Sequence, residues 1–201
     1  GSLEKTNEFY ALAKIAGIKL CQSIRIQHKF NSLCLMPTNL YGPGDNYHEL
    51  NSHVIPGLIR KFYSGKKNNL NSVKCWGSGS PLREFLYVDD LAEACIFLLE
   101  KWDLTKKHVV LDQNGHDIYW LNIGSNFEIS IKDLAYKIAK IIGYQGEIEW
   151  DESQPDGTPR KKLDTTKINN IGWEAQTNLD EGLKLTYKFF KNEIKNKTIR
   201  F

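Results

Sequence analysis

The sequence predicts an α/β fold, on three observations. From Thr6 onward the apolar residues Phe9, Leu12, Ala13, Ala16, Leu20 and Ile24 recur at helical spacing. The apolar run from Leu33 to Met36 then reads as a strand. Its exit, Pro37-Thr38-Asn39-Leu40-Tyr41-Gly42-Pro43-Gly44, gathers polar and turn residues at the strand's C-terminal end, where open α/β sheets bind ligands. Third, strand-length apolar runs alternate with capped helical stretches to the end of the chain.

The first helix takes Asn7 or Thr6 as its cap and carries Tyr10 in its first turn, near an open end. Lys14 lies one turn on, on the same face. An ammonium there favours the phenolate, so Tyr10 can exchange protons well below its usual pKa of about 10. Such a pair suits a reductase, in which the phenol protonates a carbonyl oxygen as it receives hydride. The same spacing occurs at Tyr63/Lys67, Tyr136/Lys140 and Tyr187/Lys191, and among 9 tyrosines most such pairs are solvated helix faces. After this helix, Asn31 to Met36 is expected to form a short buried strand feeding the loop that begins at Pro37.

Ser52 is the expected cap of a helix starting at His53, with Pro56 in its first turn and Val54, Leu58 and Phe62 on one face, ending near Ser64-Gly65. His53 at a helix start beside the loop has its neutral form favoured by the helix dipole and can exchange a proton; the alternative is a surface histidine. Asn68 to Ser72 is a polar loop, Val73 to Gly77 a strand, Ser78 to Pro81 a turn and Arg83 to Val88 a second strand. Trp76 offers a stacking face or a core ring. Arg83, directly after a turn, is placed either to bind a diphosphate with its fork or to make a surface ion pair.

Asp89 is the expected cap of a helix through Leu91, Ala92, Cys95, Leu98 and Leu99, and Asp103 to Asp117 an exposed hairpin or loop. Tyr119 to Ile123 reads as a buried strand. Ser130 caps a helix through Leu134, Ile138 and Ile141 to Gly143, and Glu147 to Trp150 is another strand. The segment from Gln154 to Asp164 joins turn residues to the cations Arg160, Lys161 and Lys162, as a phosphate-reaching loop would. A short helix from Thr165 to Ile171 follows. Asn178 then caps a last helix carrying Leu179, Leu183, Leu185, Tyr187 and Phe190, with a frayed tail after Asn192.

Composition narrows the classes. With 201 residues, 41% hydrophobic and 25% charged, the chain can bury a sizeable core as one domain or one large part of a two-lobed protein. A net charge of +3, from 27 basic and 24 acidic residues, gives no support to a nucleic-acid partner. The four cysteines, Cys21, Cys34, Cys75 and Cys95, form no C-x-x-C pair and read as reduced core residues of a cytoplasmic protein. No apolar run reaches membrane-spanning length and no signal-peptide pattern opens the chain, so a membrane partner is not expected. No residue is assigned to a metal.

Tyr10-x-x-x-Lys14 followed by Pro37-Thr38-Asn39-Leu40-Tyr41-Gly42-Pro43 resembles the extended short-chain dehydrogenases/reductases. Asn39 to Pro43, Asn51-Ser52-His53-Val54-Ile55-Pro56, Trp76 to Phe85 and Pro155 to Lys161 resemble, in the same order, the GDP-L-fucose synthase family within that group. The resemblance implies the C-terminal part of a Rossmann-type enzyme, including its mixed α/β sugar-nucleotide-binding subdomain. It implies 3,5-epimerisation and NADPH-dependent 4-reduction of GDP-4-keto-6-deoxy-D-mannose by a cytoplasmic homodimer associating through the Tyr10 helix. By the same resemblance, Tyr10 is the proton donor at C4, Lys14 its electrostatic partner on the nicotinamide ribose, and His53 the epimerisation acid. Pro37, Asn39 and Leu40 flank the nicotinamide of NADP alongside Tyr10, Lys14 and His53. Val54, Leu58, Lys61, Trp76, Arg83 and Lys161 line the GDP-sugar pocket. Lys61 stands where the family would have arginine, which keeps the charge and loses the fork.

No G-x-G-x-x-G occurs, and the family's epimerisation cysteine and catalytic serine have no counterpart here. Gly1-Ser2 reads as an expression scar, and 3–201 as a C-terminal portion comprising the last Rossmann elements plus the substrate subdomain, inactive alone, with most of the NADP site elsewhere. Two other readings stand beside this one: another extended family member acting on a nucleotide sugar, such as a UDP-sugar 4-epimerase or dehydratase, and a non-catalytic sugar-nucleotide-binding module. His53 in its Asn-Ser-His-Val-Ile-Pro setting argues against the 4-epimerase, which needs no acid for C3 and C5.

Overall fold

The computed structural model describes residues 3, 5–102, 117 and 119–200. The expected Gly1-Ser2 scar, the Thr6 side chain and, apart from Asp117, the loop expected from Asp103 to Asp117 lie outside the described residues. The chain is α/β. After a 3-10 turn at Lys5–Asn7 come α1 (Glu8–His28), β1 (Cys34–Pro37), β2 (Asn39–Tyr41), α2 (Val54–Lys67), β3 (Ser72–Trp76), β4 (Leu82–Tyr87) and α3 (Val88–Lys101). Then follow β5 (Trp120–Ile123), β6 (Glu128–Ser130), α4 (Ile131–Ile142), β7 (Glu147–Asp151), β8 (Arg160–Lys161), α5 (Thr166–Ile171) and α6 (Leu179–Asn196).

Strand β4 organises the sheets. Its first half pairs antiparallel with β6, while Leu82 and Arg83 also pair in parallel with β8; its second half, Phe85 to Tyr87, pairs in parallel with β2. Two parallel pairs, β1 with β5 and β3 with β7, complete the described sheets. Alternation along β4 sends neighbouring side chains to opposite faces. Phe85 and Tyr87 join a large core built from α2, β3, α4 and α6, with Ile59, Phe62, Leu134, Ile138 and Phe190 at its centre. Leu86 joins a smaller core with Ala94, Leu98, Leu121, Ile123 and Ile168.

The helices of the large core end on local signals the sequence carries. Ser130 Oγ accepts from the Asp133 N–H at 2.9 Å to cap α4, and Gly143 closes that helix with φ 77°. Asn178 Oδ1 accepts from the Glu181 N–H at 3.0 Å to cap α6. Each such cap contributes about 1 kcal/mol.

Elsewhere the structure corrects the pattern. Asn7 occupies the cap position of α1 without a side-chain cap bond. The apolar stripe of α1 is largely uncovered: Phe9 is 87% exposed, Leu12 and Leu20 are exposed, and Arg25 is its one buried residue among those described. Strand β1 is half-exposed rather than buried, because among the described residues only β5 pairs with it. The segment after Pro37 contains β2 where a loop was expected, drawn into extended form by the edge of β4.

Helix α2 has His53, not Ser52, in its cap position, and Val54 is exposed while Ile55, Leu58, Ile59 and Phe62 form the buried stripe. It continues past Ser64-Gly65, because Gly65 serves close packing: a Cβ there would collide with Val73 and Tyr144. Strand β4 runs straight into α3, leaving Asp89 in the first turn and Tyr87 at the cap; Leu99, expected on the buried face, is exposed. Strands β6 and β8 go unread in the sequence because they are two or three residues long. Of the cysteines only Cys75 is buried; Cys21, Cys34 and Cys95 are half-buried, and burial, with Cys21 beside it, pushes the Cys34 thiol up. The tail does not fray at Asn192: α6 runs to Asn196, and the Arg200 carbonyl accepts from the Tyr47 N–H at 3.0 Å.

Candidate active site

Two cavities meet at the start of α2. The larger, about 560 Å³, is walled by Tyr10, Pro37, Asn39, Leu40 and Arg83. The smaller, about 160 Å³, is walled by Leu58, Lys61, Cys75, Trp76 and Trp150. His53 and Val54 line both, because the helix start projects into the seam between them. Ten of the twelve residues singled out in the sequence therefore face this pair of cavities. Lys14 stands behind Tyr10, and Lys161 sits beside Arg83 in the β4–β8 register; neither lines a cavity wall.

Lys14 Nζ lies 5.4 Å from the centre of the Tyr10 ring, as the one-turn spacing dictates. That contact alone is not distinctive. Lys191 Nζ lies 4.8 Å from the Tyr187 ring on α6, at the same spacing. Tyr10 differs in where it points: it is 66% exposed and forms part of the larger cavity wall.

The strand exit is held by a network the sequence reading missed. Asn39 Nδ2 donates to the Glu84 carbonyl at 2.7 Å, and Thr38 Oγ1 donates to the same carbonyl at 3.1 Å. Asn39 thus uses one of its two amide donors on β4 while the residue lines the larger cavity. The Glu84 side chain is fully buried. Its two oxygens accept the N–H groups of Asn126 at 2.9 Å and Leu163 at 3.0 Å, tying β4 to the segments after β5 and β8. A buried carboxylate needs such donors. The signal in the sequence was a glutamate inside the apolar strand Arg83 to Val88.

His53 receives its position from the loop before it. His48 Nδ1 accepts the N–H groups of Leu50 at 3.1 Å and Asn51 at 3.2 Å, and Asn46 Oδ1 accepts the His48 N–H at 3.0 Å. The His53 carbonyl accepts the Gly57 N–H at 2.9 Å, opening α2. Asp45, also on the larger cavity wall, was not singled out in the sequence. Burial pushes its carboxyl above the usual range, against the Asn46 N–H and the charges of His53 and Arg200, which pull it down.

In the smaller cavity Lys61 Nζ lies 5.1 Å from the centre of the Trp76 ring and donates to the Lys74 carbonyl at 3.0 Å. Trp76 is 55% exposed, which settles its reading as an accessible face rather than a core ring. Burial pushes the Cys75 thiol up, against the pull of Lys61. Arg83 Nη1 donates to the Leu82 carbonyl at 2.8 Å, and among the described residues no carboxylate pairs with Arg83. The three-cation segment is less available than its composition predicts. Arg160 makes a two-point bond to Glu128 at 2.8 and 2.6 Å, with Lys162 at 3.9 Å from the same carboxylate, while Lys161 is exposed. Among the described residues there is no cluster of three metal-ligating side chains, and no helix is long and apolar enough to cross a membrane.

Residues 1–111 match the family model described as the NAD dependent epimerase/dehydratase family. The chain is 48% identical over 196 residues to GDP-L-fucose synthase 1 of Arabidopsis thaliana, covering 98% of this chain and 57% of that protein. It is 47% identical over 190 residues to GDP-L-fucose synthase of Escherichia coli (strain K12), covering 94% of this chain and 58% of that one. The chain thus spans somewhat over half the length of the curated relatives it matches. Among solved structures, a GDP-L-fucose synthetase from Naegleria fowleri bound to NADP superposes with a TM-score of 0.82 at 26% identity, covering 100% of this chain and 60% of that one.

Proposed function

The chain belongs to the NAD dependent epimerase/dehydratase family, and on that premise we propose that it carries the sugar-nucleotide face of a GDP-L-fucose synthase, which converts GDP-4-keto-6-deoxy-D-mannose to GDP-L-fucose with NADPH. One observation carries the reading: a phenol with a lysine behind it, Tyr10 and Lys14, and a histidine at a helix start, His53, open onto one cavity that Arg83 also lines. Residues 3–201 comprise the last Rossmann elements and the substrate subdomain. The absence of a glycine-rich phosphate loop and the coverage of 57 and 58% of the relatives support this.

The residues fit a nicotinamide cofactor at Tyr10 and the strand exit: Lys14 stands behind the phenol, and Pro37, Asn39 and Leu40 line the same cavity as Tyr10. Bound NADPH would supply the hydride to C4. Tyr10 donates its proton to the C4 oxygen as negative charge develops there, and the Lys14 ammonium stabilises the phenolate that remains.

Inversion at C3 and C5 uses the acidity the C4 ketone gives to its neighbouring C–H bonds, since the carbanion is delocalised as an enolate. His53 returns a proton to the ring from one face. The opposing base comes from outside these residues; Cys75 does not fit that role, because it is 2% exposed and burial holds its thiol protonated. Val54, Leu58, Lys61 and Trp76 take the sugar nucleotide, with Arg83 and Lys161 on its diphosphate.

The exposed apolar stripe of α1, including Phe9, Leu12 and Leu20, supports association of two copies through that helix, in the cytoplasm. The test is thermal shift of the 201-residue chain with GDP, UDP and NADPH added separately, together with a turnover assay. We expect GDP to raise Tm more than UDP and no reductase turnover by the chain alone. A larger shift with UDP would overturn the substrate assignment, and turnover would overturn the division of the site.

A further inference from the structure

Trp76 and Arg83, the aromatic and cationic arms of the sugar-nucleotide site proposed above, flank the turn 77–81. A carboxylate distant in sequence closes on that turn. Asp156 Oδ1 accepts the Ser78 N–H at 2.7 Å, and Asp156 Oδ2 accepts the Ser78 hydroxyl at 2.7 Å. Ser78 Oγ in turn accepts the Ser80 N–H at 3.1 Å. Both bonds to Asp156 are charge-assisted. Ser78, with help from the Gly79 N–H, holds the Asp156 carboxyl below the usual range, so it is ionised at neutral pH.

The backbone is shaped around this contact. Gly77 has φ 75°, and a Cβ on it would collide with the Asp156 carboxylate, so glycine is required there twice over. Gly157, the next residue after the carboxylate, has φ 72°, and a Cβ there would sit 3.6 Å from Arg83 Nη2. The same segment continues into β8, where the Pro159 carbonyl accepts the Leu82 N–H at 2.9 Å and Lys161 pairs with Arg83. On the other side of the turn, the Gly77 N–H donates to the Asp151 carbonyl at 2.9 Å, at the end of the β3–β7 pair that carries Trp76.

We propose that Asp156 is a positioning residue for nucleoside-diphosphate binding: by gripping Ser78 it presets the spacing between Trp76, stacked under Lys61, and the Arg83–Lys161 pair before the ligand arrives. The assignment rests on the sugar-nucleotide reading of the site. Asp156 lines neither cavity, so it acts on binding through geometry and not on proton transfer. Preorganisation of this kind lowers the ordering cost of binding without touching the reacting atoms.

The experiment uses the active full-length enzyme, with Asp156→Ala, Asp156→Asn, Ser78→Ala and the Asp156→Ala/Ser78→Ala double variant. Kd for GDP is read from tryptophan fluorescence, with KM and kcat for the 4-keto sugar nucleotide. Asp156→Ala is expected to raise Kd and KM roughly tenfold, the scale of losing charge-assisted bonds that hold a site in shape, while kcat stays within about twofold. Asp156→Asn, which keeps one acceptor oxygen, should fall between. Because the two residues act through one contact, the double variant should be no worse than the poorer single variant. A fall in kcat with Kd unchanged, an additive double variant, or wild-type Kd in Asp156→Ala would each overturn the proposal. If the wild-type enzyme binds UDP and not GDP, the substrate reading fails on its own, and the same variants judge the clamp by their Kd for UDP.

Discussion

Helix α1 and the helices α2, α4 and α6 of the lobe all carry apolar residues at helical spacing, more weakly segregated on α1, and only the lobe buries them. In the lobe, Phe62 and Phe190 are fully enclosed, α4 and α6 have side-chain caps, and Gly65 allows α2 to approach Val73 and Tyr144. On α1 the cap residue makes no side-chain bond, and Phe9, Leu12 and Leu20 are open. The lobe residues serve its own core. Among the described residues nothing covers the α1 stripe, while the same helix delivers Tyr10 to the cavity. Amphipathic spacing therefore reports that a face is to be covered, without saying by what.

The largest effects should separate chemistry from packing. Tyr10→Phe in the active enzyme is expected to abolish reduction at C4 while exchange of the C3 and C5 protons with solvent deuterium continues. His53→Gln should do the reverse. Each loss should be on the order of 10²- to 10⁴-fold, the contribution of a positioned acid or base, with little change in Tm because both side chains lie on a cavity wall. Full deuterium incorporation at C3 and C5 by the His53→Gln enzyme would remove His53 from the epimerisation and reduce the site to that of a simpler reductase or 4-epimerase.

Next in size is a stability contrast between the two regions. Phe62→Ala should cost about 3–5 kcal/mol in urea unfolding, since a fully buried ring leaves both lost transfer energy and a cavity. Phe9→Ala, on a ring that is 87% exposed, should stay within about 0.5 kcal/mol at low protein concentration. A Phe9→Ala loss that grows with concentration would mean that a second copy covers α1, and would place its stripe on the same footing as the core of the lobe.

How far the fold could be read depended on whether local rules and tertiary demands agreed. Ser130, Gly143 and Asn178 mark helix ends that the structure keeps, because capping is a local hydrogen-bonding matter. Gly65 misled, since its lack of a side chain serves contact between elements and not a helix end. Strand β2 was unreadable because it exists only by pairing with β4, some 45 residues away, and β8 likewise. Within the site, residues of distinctive chemistry such as Tyr10, His53, Trp76 and Arg83 stood out. The residues that hold them, Glu84 and Asp156, did not, because their partners are backbone groups or side chains brought near only by the fold.

The smallest expected effect lies at the seam between the regions, at Asp45. Burial raises its carboxyl pKa in the folded state, while the Asn46 N–H and the charges of His53 and Arg200 work in the opposite direction without cancelling it. Glu193 is a further carboxyl nearby, pushed up by burial and then by the charge of Asp45. A carboxyl raised on folding contributes stability that is fully present below the unfolded pKa of about 3.9 and is lost as pH rises through the folded value. At pH 7 the ionised Asp45 therefore weighs against the fold. Asp45→Asn keeps an oxygen for the Asn46 N–H and removes the charge, so Tm should rise by about 1 to 3 °C at pH 7. The gain should shrink toward nothing as the pH falls to about 4, where wild-type Asp45 is itself becoming neutral. Melting curves of the two proteins between these pH values give the answer. A variant less stable than wild type at pH 7 would mean that attraction to His53 and Arg200 outweighs burial, and that Asp45 braces the loop leading to His53 as an anion.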